Sequence, residues 1–203
     1  MATIALIGAS GNIGGRILAE ALQRGHTVVG IVRSPEKLAA KPHFTVARGD
    51  IANPAELAKQ LRGADVVVAS VRWADNAPQL LDAVRQSGVP RLITVIGAGS
   101  LEASPGVRVI DTPEFPAAWR PGAEGAARAL DIFRAEKGID WVAVSPSWNI
   151  APGERTGKFR VGGDQLLRDA AGESRISRED FAIAIVDEIE RPRHHRQRIT
   201  VGY

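Results

Sequence analysis

The chain has no cysteine, a single tyrosine and a single methionine among its 203 residues. The missing cysteines exclude disulfides, thiolate metal sites and cysteine nucleophiles. No apolar run approaches the ~20 residues that a membrane-spanning helix needs. The first residues lead straight into a strand-like segment, without the basic and apolar regions of a secretory signal. We therefore expect a cytoplasmic protein with no membrane partner.

Strong charge of either sign is also missing, since 26 basic and 23 acidic residues give a formal net charge of +3. The basic cluster at 191–198 has no interleaved aromatics and no nucleic-acid motif, so we interpret it as a solvated turn and expect no nucleic-acid partner. A mild positive charge suits an anionic cofactor equally well. The four histidines have no acidic or histidine partner at metal-ligand spacing, so no metal site is predicted.

Glycine is abundant at the start of the chain, where residues 8–14 read GASGNIG. They follow an apolar, strand-like run (3–7, TIALI) and precede a helical pattern at 16–24. Three glycines at such a junction permit a tight turn, the close approach of a pyrophosphate and close packing of helix on strand. Free N–H groups at the helix start also attract phosphate. The segment predicts a dinucleotide site with these binding residues: Gly8, Ser10, Gly11, Asn12, Ile13 and Gly14.

The alternative is a tight turn without a ligand. The small polar side chains of Ser10 and Asn12 argue against it, because they can bond phosphate or cap the helix.

The end of the second predicted strand (27–32) distinguishes NADP from NAD. Proteins that bind NAD usually place an acidic residue there for the ribose hydroxyl, whereas NADP binders place arginine near the 2′-phosphate. This chain has Arg33, followed by Ser34 and, one turn on, Lys37. A guanidinium fork matches a phosphate, so we predict NADPH as the cofactor, with Arg33 and Ser34 in contact with it. An exposed arginine without a ligand is the alternative.

Strands and helices alternate through most of the remaining sequence. Further strands are predicted at 44–47, 65–69, 91–96, 140–145 and 198–201, and further helices at 54–61, 79–86, 123–137 and 178–189. This order predicts an α/β fold with a doubly wound parallel sheet, in which ligands bind at the carboxyl ends of the strands. We therefore add these cofactor-binding residues: Asp50, Ile51, Ala69, Ser70, Val71, Gly97 and Pro146. Asp50 either contacts the adenine ring of the cofactor or only forms hydrogen bonds within its own turn.

The regular alternation stops after Gly97. Residues 102–122 contain four prolines without periodicity, which indicates a long loop, and a lid is one role for such a loop. Short strands are expected at 158–161 and 165–167. We interpret 1–203 as a single NAD(P)-binding domain, with small cap elements within about 101–122 and 147–176. Three of the four tryptophans (Trp73, Trp119 and Trp148) fall in loops at the ligand edge, where indoles could stack on a flat substrate or could pack the cap. Trp141 lies within a strand and is assigned to the core.

The motifs distributed along the chain are similar to those of atypical short-chain dehydrogenase/reductases. The resemblance is strongest to small NAD(P)H–flavin reductases akin to biliverdin reductase B, and it spans nearly the whole chain. These stretches carry it: 5–14 (ALIGASGNIG), 49–50 (GD), 97–101 (GAGSL), 111–115 (DTPEF), 153–157 (GERTG), 162–165 (GGDQ) and 198–203 (RITVGY). The resemblance implies a Rossmann domain with a small cap. It also implies that Ser100 occupies the position of the superfamily's catalytic serine, although Ser100 could instead bond its own turn.

The superfamily's Tyr-x-x-x-Lys acid has no counterpart, because the lone tyrosine is Tyr203. The substrate should therefore accept hydride without a strong protein acid, as a flavin or quinone does. We predict an NADPH-dependent reductase of such a small planar acceptor, acting as monomer or homodimer. A non-catalytic NADP(H) sensor is the alternative, and a sugar-nucleotide epimerase fits poorly because the chain is short and lacks the tyrosine.

Overall fold

The computed structural model describes residues 1–203 apart from the side chain of Lys37, which the sequence placed one turn after Arg33. Within that part, the fold is built on an eight-stranded sheet. Its strands are β1 (Thr3–Ile7), β2 (Thr27–Val32), β3 (Phe44–Arg48), β4 (Val66–Ala69), β5 (Arg91–Val95), β8 (Asp140–Pro146), β10 (Arg160–Gly162) and β12 (Gln197–Gly202). Their order in the sheet is β10-β12-β8-β5-β4-β1-β2-β3. All neighbouring strands are parallel except β10, which pairs antiparallel with β12.

Helices cover both faces of the sheet, as the predicted doubly wound fold requires. One face packs against α1 (Gly14–Gln23) and α5 (Arg178–Glu190). The other packs against α2 (Pro54–Leu61), α3 (Ala77–Ser87) and α4 (Arg120–Ala135). The β4 and β5 strands are buried along their whole length, and burial on both faces of the sheet explains the unbroken apolar run of β4. The α/β fold predicted from the sequence is confirmed.

The ends of the helices follow from local chemistry. Prolines occupy the first turns of α2 and α3, where a missing N–H group is harmless. The α3 helix ends at Gly88, whose φ of 77° is the left-handed conformation that glycine adopts without strain. The Ser177 side chain caps α5 by accepting a hydrogen bond from the Asp180 amide at 2.9 Å. Among the described residues, no helix combines the length and apolarity needed to cross a membrane.

The prediction of one long loop over 102–122 is wrong. This segment contains a hairpin of β6 (Glu102–Ser104) and β7 (Val107–Arg108), then 3-10 turns at Val109–Asp111 and Ala117–Trp119. The α4 helix begins at Arg120, three residues before the predicted start, because Pro121 is compatible with a helix's first turn. Two short strands, β9 (Asn149–Ala151) and β11 (Arg175–Ser177), form a separate parallel pair.

The two segments interpreted as cap elements contact each other. The Glu102 amide donates to the Asp164 carbonyl at 2.8 Å, and the Leu166 amide donates to the Glu102 carbonyl at 2.9 Å. This contact is an isolated bridge at Gln165, where a strand over 165–167 was expected. Parts of the chain about 60 residues apart are thereby joined beside the carboxyl ends of the strands.

Candidate functional site

The glycine turn between β1 and α1 has almost no space for side chains. Gly8 has a φ of 86°, and a Cβ placed there would lie 2.1 Å from the Ser70 carbonyl oxygen. A Cβ at Gly14 would lie 2.1 Å from the Gly8 carbonyl oxygen. Both distances are far shorter than any real contact of a Cβ atom. Gly8 and Gly14 therefore bring strand, turn and helix together as closely as the motif predicts.

The N-terminus of α1 is available to an anion. Ile13 is the N-cap residue, and no described side chain caps the helix or places an acid in its first turn. The capping role considered for Ser10 and Asn12 is therefore not realised. Uncapped N–H groups and the positive end of the helix dipole favour a bound phosphate.

A cleft of about 480 Å³ opens beside this turn, at the carboxyl ends of β1, β2, β3 and β4. We call it the glycine cleft. Arg33 is exposed at its margin, and Ile51 is buried in its wall. The Asp50 carboxylate also ties its own turn, by accepting a hydrogen bond from the Ala52 amide at 3.0 Å. The lining is Ile7, Gly8, Ser10, Gly11, Ile31, Val32, Arg33, Gly49, Asp50, Ile51, Ser70, Val71, Arg72 and Asn76.

A second cleft of about 770 Å³ adjoins the first, and Val71 and Arg72 line both. We call it the tryptophan cleft, because the predicted substrate residues Trp73, Trp119 and Trp148 all line it. Its wall also includes Ile13, Gly97 and Pro146, from the predicted cofactor set, together with Ser147. We refer to these two adjoining clefts, at the carboxyl edge of the sheet, together as the groove.

The three tryptophans of this cleft differ in their surroundings. The Trp73 ring is buried against Phe133, and its Nε1 donates to the Val95 carbonyl at 2.6 Å. Trp119 is 61% exposed and Trp148 is 36% exposed. The ring centroids of Trp119 and Trp148 lie 6.0 Å apart at an interplanar angle of 44°. Trp73 thus belongs mainly to the core, whereas Trp119 and Trp148 present indole surface to a ligand.

Several predicted site residues are not among the described residues that line either cleft. Gly14 is buried under the turn, Ala69 is buried within β4, and Asn12 is exposed. Ser34 is half-buried at the start of a 3-10 turn. Ser100 accepts a hydrogen bond on its Oγ from Nη1 of Arg198, at 3.1 Å. Burial lowers the pKa of this guanidinium, an effect that Asp164 opposes. The geometry therefore connects Ser100 to Arg198 and Asp164 rather than to the groove.

The single tyrosine is engaged in another part of the structure. The Tyr203 hydroxyl donates to Oδ2 of the fully buried Asp180 at 2.8 Å and accepts from the Ser177 amide at 3.2 Å. Tyr203 lines a separate cleft together with Thr156 and other residues of the 149–158 and 175–177 segments. The Tyr203 hydroxyl therefore serves as a hydrogen-bond donor to the buried carboxylate of Asp180.

Among the described residues, no group of three His, Asp or Glu side chains is arranged to bind a metal ion. Three histidines do find single carboxylate partners that their spacing in the sequence did not indicate. His26 lies 3.1 Å from Glu190, His194 lies 2.7 Å from Glu188, and His195 lies 3.0 Å from Asp140.

Sequence reasoning missed several lining residues, most importantly Arg72, Asn76 and Arg128. Arg72 follows directly after Ser70 and Val71, so its place at the strand end was available as a signal. Arg128 was not predictable, because its position depends on packing between distant elements. A Cβ at Gly125 would lie 2.4 Å from the Trp73 carbonyl oxygen. Only a glycine there lets α4 approach the 73–74 backbone and bring Arg128 to the cleft.

Nearly the whole chain can be aligned with proteins that are already known. A family model described as NAD(P)H-binding matches residues 8–192. The chain belongs to this NAD(P)H-binding family. Protein YwnB of Bacillus subtilis strain 168 is 34% identical over an alignment 209 positions long, gaps included, which covers 98% of this chain and 97% of that protein.

Solved structures of other proteins superpose on this chain over nearly their full length. A candidate epimerase from Bacteroides thetaiotaomicron is 40% identical with a TM-score of 0.95, covering 99% of this chain and 96% of that one. SP1627 of Streptococcus pneumoniae TIGR4, described as a candidate NADH-flavin reductase, is 32% identical with a TM-score of 0.85, covering 100% and 99%. The prediction that this is an NAD(P)-binding protein is confirmed by the family model.

Proposed function

We propose that this NAD(P)H-binding protein is an NADPH-dependent reductase of a flavin, a quinone or a similar planar acceptor. The observation that carries the proposal is that the tryptophan cleft adjoins the glycine cleft, with Val71 and Arg72 lining both. A dinucleotide whose pyrophosphate lies over Gly11 and the start of α1 would extend along this groove. Its nicotinamide would then lie beside Gly97 and Pro146, in reach of a ring stacked on Trp119 or Trp148.

The reaction needs little acid–base help from the protein. When bound, NADPH would supply a hydride, equivalent to two electrons and one proton, and a proton from solvent would complete the reduced acceptor, leaving NADP⁺. The ionisable side chains that line the tryptophan cleft are those of Arg72 and Arg128, which do not deprotonate. An acceptor whose own heteroatoms take a proton from water fits this lining better than a simple ketone does.

The choice of NADPH rests on Arg33. This side chain is exposed at the margin of the glycine cleft, at the end of β2, where a 2′-phosphate is read in this fold. The carboxylate in that lining is Asp50, on the neighbouring strand end and tied to its own turn. Within the same proposal, Ser10, Gly11 and Ile13 contact the phosphates, Asp50 and Ile51 face the adenine, and Ser70, Val71 and Gly97 line the path to the nicotinamide.

The test is oxidation of NADPH by purified protein in the presence of FMN, FAD, riboflavin or quinones. We expect turnover with at least one of these acceptors. A Gly11→Val variant, whose side chain would enter the glycine cleft, controls for oxidation that is independent of the site. No turnover with any acceptor, combined with clearly different affinities for NADP⁺ and NADPH, would instead establish a redox sensor.

A further inference from the structure

The tryptophan cleft carries positive charge without a matching carboxylate in its wall. Its charged lining residues are Arg72 and Arg128, and no aspartate or glutamate belongs to the described lining. The neighbouring clefts are different. The glycine cleft includes Asp50, and the cleft on the other side of Trp148 includes both Glu114 and Glu173. A one-sided charge beside exposed indoles suits a ligand that is flat and negatively charged.

Arg128 is the cation that is free to meet such a ligand. It is exposed on α4, and its Nε lies 3.4 Å from Oδ1 of Asp75. Asp75 is itself 86% exposed, so water screens this long contact strongly. Within the described part of the chain, the two Nη groups of Arg128 have no hydrogen-bond partner, so they remain available for bidentate contact with an anion.

Other charges near α4 do not cancel this one. Glu124 precedes Arg128 by one helical turn, but among the described residues the ion pair of Arg128 is with Asp75 and not with Glu124. Arg134, further along α4, contacts Asp131 and Asp164. Arg72 lines both clefts, so we expect it to form ion pairs with the phosphates of the bound dinucleotide. Arg128 is therefore left to act on the second ligand.

We infer that Arg128 makes the acceptor site selective for planar rings that bear an anionic group, such as a phosphate, sulfonate or carboxylate. This inference rests on the proposed reductase function and names the acceptor class more closely. Arg128 is a specificity-determining residue in it. It pairs with the anionic substituent and takes no part in hydride transfer to the ring.

The experiment compares acceptors that share a ring and differ in charge: FMN against riboflavin, and naphthoquinone sulfonate against naphthoquinone. In the wild type, kcat/KM should be higher for the charged member of each pair, and the advantage should shrink as NaCl is raised. In Arg128→Gln, we expect the ratio of charged to neutral kcat/KM to fall by about three- to tenfold, mostly through KM. Values for the neutral acceptors should stay within about twofold, since a partly exposed ion pair affects only charged ligands.

The control is Arg62→Gln, which removes one exposed positive charge just beyond α2, away from both clefts. It should leave all the ratios unchanged. If wild type and Arg128→Gln show the same ratio while both acceptors turn over, the inference is overturned and the reductase function stands.

Equilibrium dialysis of FMN and riboflavin, in the presence of NADP⁺, separates the remaining outcomes. If no acceptor turns over but FMN binds more tightly than riboflavin in an Arg128-dependent way, the site is anion-selective and the reductase proposal fails. Equal binding of the two flavins by the wild type would overturn the selectivity itself.

Discussion

The hydroxyl of Tyr203 donates a hydrogen bond to Oδ2 of Asp180 at a distance of 2.8 Å. Asp180 is fully buried and also accepts from Thr156 Oγ1 and from the Gly157 amide. This arrangement gives the only tyrosine of the sequence a structural task.

A Tyr203→Phe variant should therefore lose stability and keep activity. Removing one of the donors to a buried carboxylate should lower the free energy of unfolding by about 1–2 kcal/mol. Urea denaturation measures this loss, and steady-state kinetics with NADPH should show an unchanged kcat. A folded variant with a kcat reduced by orders of magnitude would show that Tyr203 is an acid after all.

Neighbouring glycines of α1 offer a matched pair of substitutions. The Gly14→Ala change puts a methyl group 2.1 Å from the Gly8 carbonyl oxygen, so the turn must shift. We expect a loss of about 1–3 kcal/mol in stability from this overpacking, together with weaker NADPH binding. At Gly15 the nearest contact is 3.7 Å away, and Gly15→Ala should stabilise the helix by about 0.5–1 kcal/mol. Thermal denaturation and calorimetric titration with NADPH measure both effects, and equal behaviour of the two variants would contradict the close packing.

Trp73 and Trp119 should respond in opposite ways to truncation. Trp73→Ala removes a buried ring from the core and should cost about 3–5 kcal/mol of stability. Trp119→Ala alters a largely exposed ring, so stability should change by less than about 0.5 kcal/mol. The KM for the acceptor should nevertheless rise, while the KM for NADPH stays constant. An unchanged acceptor KM would remove Trp119 from the proposed acceptor site.

Cofactor selectivity depends on Arg33 in the proposed function. Arg33→Ala should weaken NADPH binding by about 1.5–3 kcal/mol, or roughly 10- to 100-fold in Kd, because a charged hydrogen bond to the 2′-phosphate is lost. The affinity for NADH should hardly change. Arg48→Ala is the control, because Arg48 is exposed at the end of the adjacent strand and outside both cleft linings. Equal losses for NADPH and NADH would mean that Arg33 does not read the phosphate.

An ion pair between α1 and the segment after β9 should make stability depend on pH. The hydrogen bonds from Arg155 hold the pKa of the buried Glu20 below its ordinary value of 4.5. A carboxyl whose pKa is lowered by folding stabilises the protein above its ordinary pKa, and this contribution is lost as the pH falls through the lowered value. Arg155→Gln should therefore lower the free energy of unfolding near neutral pH, an effect that solvent screening weakens because Arg155 is partly exposed.

The difference between wild type and Arg155→Gln should shrink once the pH is well below 4.5. Urea denaturation across the acid range measures it. A difference that stays constant down to the lowest pH would mean that Glu20 is not the responsible group.

Local signals explain which parts of the fold the sequence could predict. The strand Thr27–Val32 and the helix Pro54–Leu61 were predicted with their observed bounds, because a β-branched run and an initial proline mark them directly. The glycine turn could also be predicted from the sequence, since its geometry depends on residues adjacent in the chain. The hairpin at 102–108 was not predicted, because its strands are only two or three residues long and because Glu102 forms its other bridge with Gln165, far along the chain.

Side-chain roles in the groove depended on contacts between distant parts of the chain. All three loop tryptophans looked alike in sequence, yet only packing against Phe133 distinguishes buried Trp73 from exposed Trp119. Similarly, Ser100 has the expected position in the chain, but the buried Arg198, almost a hundred residues later, binds its hydroxyl. No local pattern contains that information.

Because the tryptophans differ in burial, the intrinsic fluorescence of the protein reports separately on the groove and on the core. Trp73 and Trp141 are buried with hydrogen-bonded indole N–H groups, whereas Trp119 and Trp148 meet solvent at the mouth of the groove. Indoles in contact with water emit at longer wavelength than buried ones, so the red edge of the intrinsic fluorescence belongs to Trp119 and Trp148. Quenching at that edge would follow occupation of the tryptophan cleft, while the blue edge would follow unfolding of the core.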